Sequence, residues 1–125
     1  MTKGELAKNY YKQGLNCAQA VALAFEKELG LDSEVIKKFI CGFGGGFGRQ
    51  GLVCGAVSAM TMVLSYLAPS NATKLEVYEI IKKACGEVKT QLGDLNCVAI
   101  KSQNKTSCDN ICKIVAETVE KYING

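Results

Sequence analysis

The sequence predicts an all-α fold, one compact helical bundle of about five main helices plus short ones. Three observations carry this expectation. Long segments repeat apolar residues at helical spacing, the chain of 125 residues contains a single proline, Pro69, and helix-capping patterns recur between the segments. With 48% apolar residues, the chain can bury a real core. No linker or low-complexity tract divides it, so residues 1–125 read as one domain.

The first helix is expected over residues 3–13, broken by Gly14. Asn16 then caps a second helix, and Gln19, three residues on, completes a capping box. That helix, residues 17–29, is rich in alanine and apolar on several sides, so it should be central; Gly30 fits its stop. Asp32 or Ser33 caps a third helix running to about Cys41. A glycine run, "CGFGGGFGRQGLVCG", follows as a loop. The fourth helix, residues 52–67, carries no charge and should be buried. Its small residues Gly55, Ala56, Ser58 and Ala59 allow close approach of another helix. Pro69 ends it. Thr73 and Glu76 form the next capping box, opening a fifth helix to Leu92 with an apolar stripe of Val77, Ile81, Ala84 or Cys85, Val88 and Leu92. Gly93 ends that helix. "DLNCVAIK" starts a short helix, "SQNKTS" is a polar loop, and residues 108–123 form the last helix.

Composition excludes several functions. The net charge of +3 is too small to argue for nucleic acid, and no apolar run reaches bilayer length. The N-terminal "MTKGELAKNYYKQG" has no apolar signal core and no twin arginine, which predicts a cytoplasmic protein; the sequons at Asn71 and Asn104 then carry no weight. There is no histidine, hence no histidine base and no Cys/His zinc site. Seven cysteines in a cytosolic chain point to redox, metal or core roles rather than a disulfide frame.

"LNC" occurs twice, ending at Cys17 and at Cys97, each time with Asn as a plausible N-cap. Cys54 follows the glycine loop at the start of the fourth helix, and Cys108 opens the last. Four cysteines are thus expected at helix N-termini, where free N–H groups and the dipole favour a thiolate. Cys85 falls in an apolar stripe and reads as core. Cys112, one turn after Cys108, and Cys41, before the glycines, stand between packing and participation. The intervals match no ferredoxin or zinc-ribbon spacing.

A P-loop needs a preceding strand and a Lys-Ser/Thr pair after its glycines; the run has neither. Its glycines permit a tight turn, and its N–H groups can steady a thiolate or small anion. Gly44, Gly45, Gly46 and Arg49 are the loop residues expected to do so beside Cys54. No Asp or Glu occurs between Glu34 and Glu76, so an anion there meets little repulsion.

"NCAQAV" from Asn16, "GFGGGFGRQGLVCGAVSA" from Gly42, "GDLNC" ending at Cys97 and a last cysteine before the final helix give the chain its likeness. It resembles the small helical redox proteins called the C-GCAxxG-C-C family, across nearly its whole length. The resemblance implies that Cys17, Cys54, Cys97 and Cys108 are the four family cysteines and that their role is redox. The CGAxxG hallmark reads Cys54-Gly55-Ala56-Val57-Ser58-Ala59, with alanine in place of the final glycine. Some relatives look exported by a twin-arginine route, which would suit a bound prosthetic group; this chain lacks that signal, which weakens the cofactor reading here.

Three readings stand. In the first, the chain is a thiol–disulfide oxidoreductase with Cys54 as attacking thiolate, one of Cys17, Cys97 and Cys108 resolving, and Arg49 as electrostatic helper. Its partner is then a redox protein or a small thiol, with no nucleic acid and no membrane. In the second, Cys17, Cys54, Cys97 and Cys108 hold an iron–sulfur cluster or a soft metal ion. In the third, the cysteines are core or regulatory residues of an interaction scaffold. Substrate, cysteine pairing and oligomeric state stay open.

Overall fold

A computed structural model describes residues 1–103 and 106–124; the middle of the polar loop, with the second sequon's Asn104, lies outside them. As expected, the described residues are all-α. The helices are α1 (Lys3–Lys12), α2 (Cys17–Ala24), α3 (Glu26–Leu29), α4 (Ser33–Ile40), a short turn α5 (Gly44–Phe47), α6 (Gly55–Leu67), α7 (Lys74–Leu92), α8 (Cys97–Gln103) and α9 (Cys108–Asn124).

The alanine-rich α2 is the centre. It packs on α1, α4, α6 and α9, while α7 closes the far side against α6 and α9. Alanines on α2 are fully buried, and so are Phe25, Ile36, Met60, Val88 and Val115. Each large side chain of this kind contributes about 1.5–3 kcal/mol when withdrawn from water. Among the described residues no buried side-chain nitrogen or oxygen lacks a partner; buried Thr118 donates to the Ile114 carbonyl at 3.0 Å.

The capping boxes at Asn16/Gln19 and Thr73/Glu76 form as expected. Asp32 caps α4, and Gly30 and Gly93 adopt the left-handed conformation that stops a helix. Ala68 turns extended before Pro69 and ends α6.

Three boundaries differ from expectation. The helix expected over 17–29 divides at Phe25, whose backbone (φ −107°, ψ 22°) leaves the α region and whose N–H turns to the Ala22 carbonyl three residues back. The third helix ends at Ile40, and Cys41–Phe43 forms a tighter 3₁₀ turn. The fourth helix starts at Gly55 rather than at Leu52. Residues 52–54 are drawn instead into an antiparallel pairing with the segment before α8: Val53 bridges Asn96, Cys54 N–H donates to the Leu95 carbonyl at 2.8 Å, and Cys97 N–H donates to the Leu52 carbonyl at 2.6 Å. A long-range pairing thereby overrides local helix propensity and ties two cysteine-bearing segments together.

No described helix is long and apolar enough to cross a membrane.

Candidate functional site

The site begins with the start of α2. Asn16 Oδ1 accepts from Gln19 N–H at 2.9 Å, and the Gln19 side chain accepts from Asn16 N–H at 3.1 Å. The two side chains then reach across to α4 and the turn after it: Asn16 Nδ2 donates to the Cys41 carbonyl at 3.0 Å and Gln19 Nε2 to the Lys37 carbonyl at 3.1 Å. One capping box thus fixes both the first residue of α2, Cys17, and the entry to the glycine run. Asn16→Ala removes the cap and the bridge to Cys41, and is expected to cost about 1–2 kcal/mol, read as a lowered denaturant midpoint.

The glycine run folds over this start. Gly45 and Gly46 take positive φ (69° and 74°), a conformation that glycine adopts without a Cβ clash, and Gly45 thereby turns its N–H toward the Cys17 sulfur. The run delivers the chain through the Val53–Asn96 pairing to Cys54 and α6. At Gly55 the backbone of α6 meets α2 directly: a Cβ there would lie 2.7 Å from Cys17 Sγ and 2.9 Å from the Phe43 carbonyl oxygen. The sulfur occupies the space a side chain would take.

These elements surround a cavity of about 960 Å³. Cys17, Cys54, Cys97 and Cys108, expected at four helix starts, all line it, and so does Cys41. Three of the four occupy the first position of their helices; Cys54 is instead the residue capping α6, without a side-chain capping bond. Gly44, Gly45 and Arg49 reach the cavity, whereas Gly46 is buried under the backbone of Gly51 and Leu52. Cys112 is fully buried behind the site, its thiol 3.9 Å from the Cys17 carbonyl oxygen. Cys85 is half-buried against the core and lies apart.

The thiols differ sharply in acidity. Cys17 is lowered to about 6, first because the Cys54 thiol donates a hydrogen bond to its sulfur, with the N–H groups of Gly45, Ala56 and Ala18 adding to this against the penalty of burial. Cys54 is pushed far up by the same hydrogen bond and by burial. The sequence expectation favours Cys54 as the thiolate; the amide donors around the Cys17 sulfur favour Cys17 as the charged partner of the pair. Two helix N-termini, its own and that of α6, together with the glycine loop, converge on the Cys17 sulfur. Cys54 lies near the Ala56 and Val57 amides too, but burial and its role as donor outweigh them. Burial also raises Cys97, partly offset by Lys101, and raises Cys112.

Sequence reasoning missed Tyr11 and Lys101, which also line the cavity. The Tyr11 hydroxyl is pushed up to about 12 by burial and by a hydrogen bond with Cys108. Tyr11 carries no local signal, because only the packing of α1 on α9 brings it to Cys108.

An iron–sulfur cluster or soft metal needs several thiolates around one point. Among the described residues no three Cys, Asp or Glu side chains are grouped closely enough to hold a metal ion. The four sulfurs share a cavity wall but do not form a ligand set.

No curated protein and no solved structure matches the chain. A family model does, over residues 15–122, from the residue before the α2 cap to the last turn of α9. By that match, which takes in every cysteine around the cavity, the chain belongs to the family described as "Putative redox-active protein (C_GCAxxG_C_C)".

Proposed function

We propose that this chain is a dithiol–disulfide exchange protein in which Cys17 attacks and Cys54 resolves. One observation carries the reading: Cys17 and Cys54 line the same open cavity, with Cys17 Sγ only 2.7 Å from the place of a Cβ on Gly55, the residue after Cys54. A thiolate near pKa 6 is mostly ionised at neutral pH and is a competent nucleophile. Cys17 S⁻ attacks one sulfur of a disulfide RS–SR, forming Cys17–S–S–R and releasing RS⁻. Cys54 then gives up its proton and attacks the Cys17 sulfur, forming the Cys17–Cys54 disulfide and releasing the second RS⁻, which takes up that proton. Two thiols lose two electrons and the substrate disulfide gains them. A small dithiol or a reduced redox partner protein restores the pair. Cys97 and Cys108, on the same wall, are the residues through which that second exchange is expected to pass. The proposal carries a cytoplasmic location, where thiol pools keep such a pair reduced.

Peptide mapping tests this. The reduced protein, incubated anaerobically with excess 2-hydroxyethyl disulfide, blocked with N-ethylmaleimide and digested, is expected to yield a Cys17–Cys54 cross-linked peptide that dithiothreitol reverses. A stable mixed disulfide on Cys41 alone, with Cys17 and Cys54 both blocked as free thiols, would overturn it. The shared cavity wall keeps the cluster reading as the rival. Stoichiometric iron and sulfide in anaerobically purified protein would favour that rival.

A further inference from the structure

We infer that the cavity takes a small disulfide bearing carboxylates, held by Arg49 and Lys101; this rests on the exchange reading above and names its substrate class. Size is the first argument. About 960 Å³ lies at the upper end of small-molecule sites, roughly 300–1,000 Å³. Cys54 is only 4% exposed and Cys17 is half-buried, so a low-molecular-weight disulfide that enters whole reaches them more readily than a bond on a protein surface.

Charge is the second. Among the described residues, the charged side chains lining the cavity are Arg49 and Lys101, with no Asp or Glu. The acid next to the cavity in sequence, Asp109, is turned to Lys8, Lys12 and Ser107. Among the described residues neither Arg49 nor Lys101 forms a salt bridge.

Backbone geometry is the third. Arg49 holds φ 66°, an uncommon left-handed conformation for a side chain of its kind. Its Cγ lies 2.9 Å from where a Gly45 Cβ would be, so its stem runs across the residue whose N–H meets the Cys17 sulfur. A carboxylate paired with Arg49 therefore sits beside the attacking thiolate. The cation offsets the repulsion between the two anions, and Lys101, beside Cys97, takes the second carboxylate.

The test compares three disulfides in anaerobic single-turnover reactions at pH 7 and low salt: 3,3′-dithiodipropionate, neutral 2-hydroxyethyl disulfide and cationic cystamine. Formation of the protein disulfide is followed by intact mass. The dianionic disulfide is expected to react about fivefold faster than the neutral one, as for a partly exposed ion pair, and cystamine slowest. Arg49→Gln and Lys101→Gln are each expected to collapse the dianion-to-neutral ratio toward one, with Arg49→Lys retaining part of it; thermal unfolding checks that each variant is folded. Equal rates for all three disulfides, or cystamine fastest, overturn the inference while leaving the exchange chemistry standing. No reaction with any of them overturns both.

Discussion

Cys54→Ala is expected to slow alkylation of Cys17 by iodoacetamide at pH 7 about two- to threefold, because the thiolate fraction falls about thirtyfold while the more basic thiolate regains roughly ten- to eighteenfold in nucleophilicity. The largest contribution to the acidity of Cys17 is the hydrogen bond from Cys54. Without it the pKa moves from about 6 toward the free-thiol value of about 8.5. The sign depends on pH. Below pH 6 both proteins are mostly protonated and both react slowly. Between 6 and 8.5 the wild type is ionised and the variant is not. Above 9 both are ionised, and the more basic variant thiolate is the better nucleophile. Cys54→Ser separates two roles. Its hydroxyl still donates, so much of the low pKa is retained, yet it cannot resolve. It is therefore expected to accumulate the Cys17 mixed disulfide, visible as an adduct in the intact mass.

Gly55→Ala is expected to damage stability and site together. Its Cβ would lie 2.7 Å from Cys17 Sγ, 2.9 Å from the Phe43 carbonyl oxygen and 3.2 Å from Ala18 Cβ. Two of these neighbours belong to a buried helix and one to backbone, so none yields cheaply. Overpacking of this kind costs about 1–3 kcal/mol, or roughly 4–12 °C in Tm for a chain of this size. The displaced sulfur also loses its amide donors, so Cys17 becomes less reactive at pH 7. Gly86 supplies the contrast: it lies within α7 with nothing inside 4 Å of an added Cβ. Gly86→Ala is expected to stabilise by about 0.5–1 kcal/mol through helix propensity alone.

Features governed by near neighbours were legible in the sequence. Asn16 with Gln19 and Thr73 with Glu76 could be named as capping boxes because each needs only a four-residue window. Gly30 and Gly93 are legible as stops, and the absence of charge correctly marks the first part of α6 as buried, although Ser65 and Tyr66 near its end are exposed. Placing Cys17, Cys97 and Cys108 at helix starts followed from the same local rules. What those rules could not supply was which helix start each sulfur would face. Its glycine loop and acid-free flanks favour Cys54 locally, but the Ala56 amide of α6 also serves, and the Gly45 N–H turns to, a sulfur 37 positions earlier in the chain. The start of α6 was misplaced for a similar reason, since residues 52–54 pair with a segment more than forty residues away. The glycine of the family hallmark also gains a physical meaning only in three dimensions: Gly55 is small because Cys17 Sγ fills the place of its side chain.

The central claim is that Cys17, steadied by the Cys54 thiol and by backbone N–H groups, carries the reactive negative charge. The pH dependence of alkylation at individual cysteines, followed by mass spectrometry on the native reduced protein, tests it most directly. Cys17 is expected to react faster than Cys54 throughout, with a rate that rises with a midpoint near pH 6. A Cys17 midpoint near 8.5, the value of a free thiol, or a Cys54 that is alkylated first at neutral pH, would contradict it.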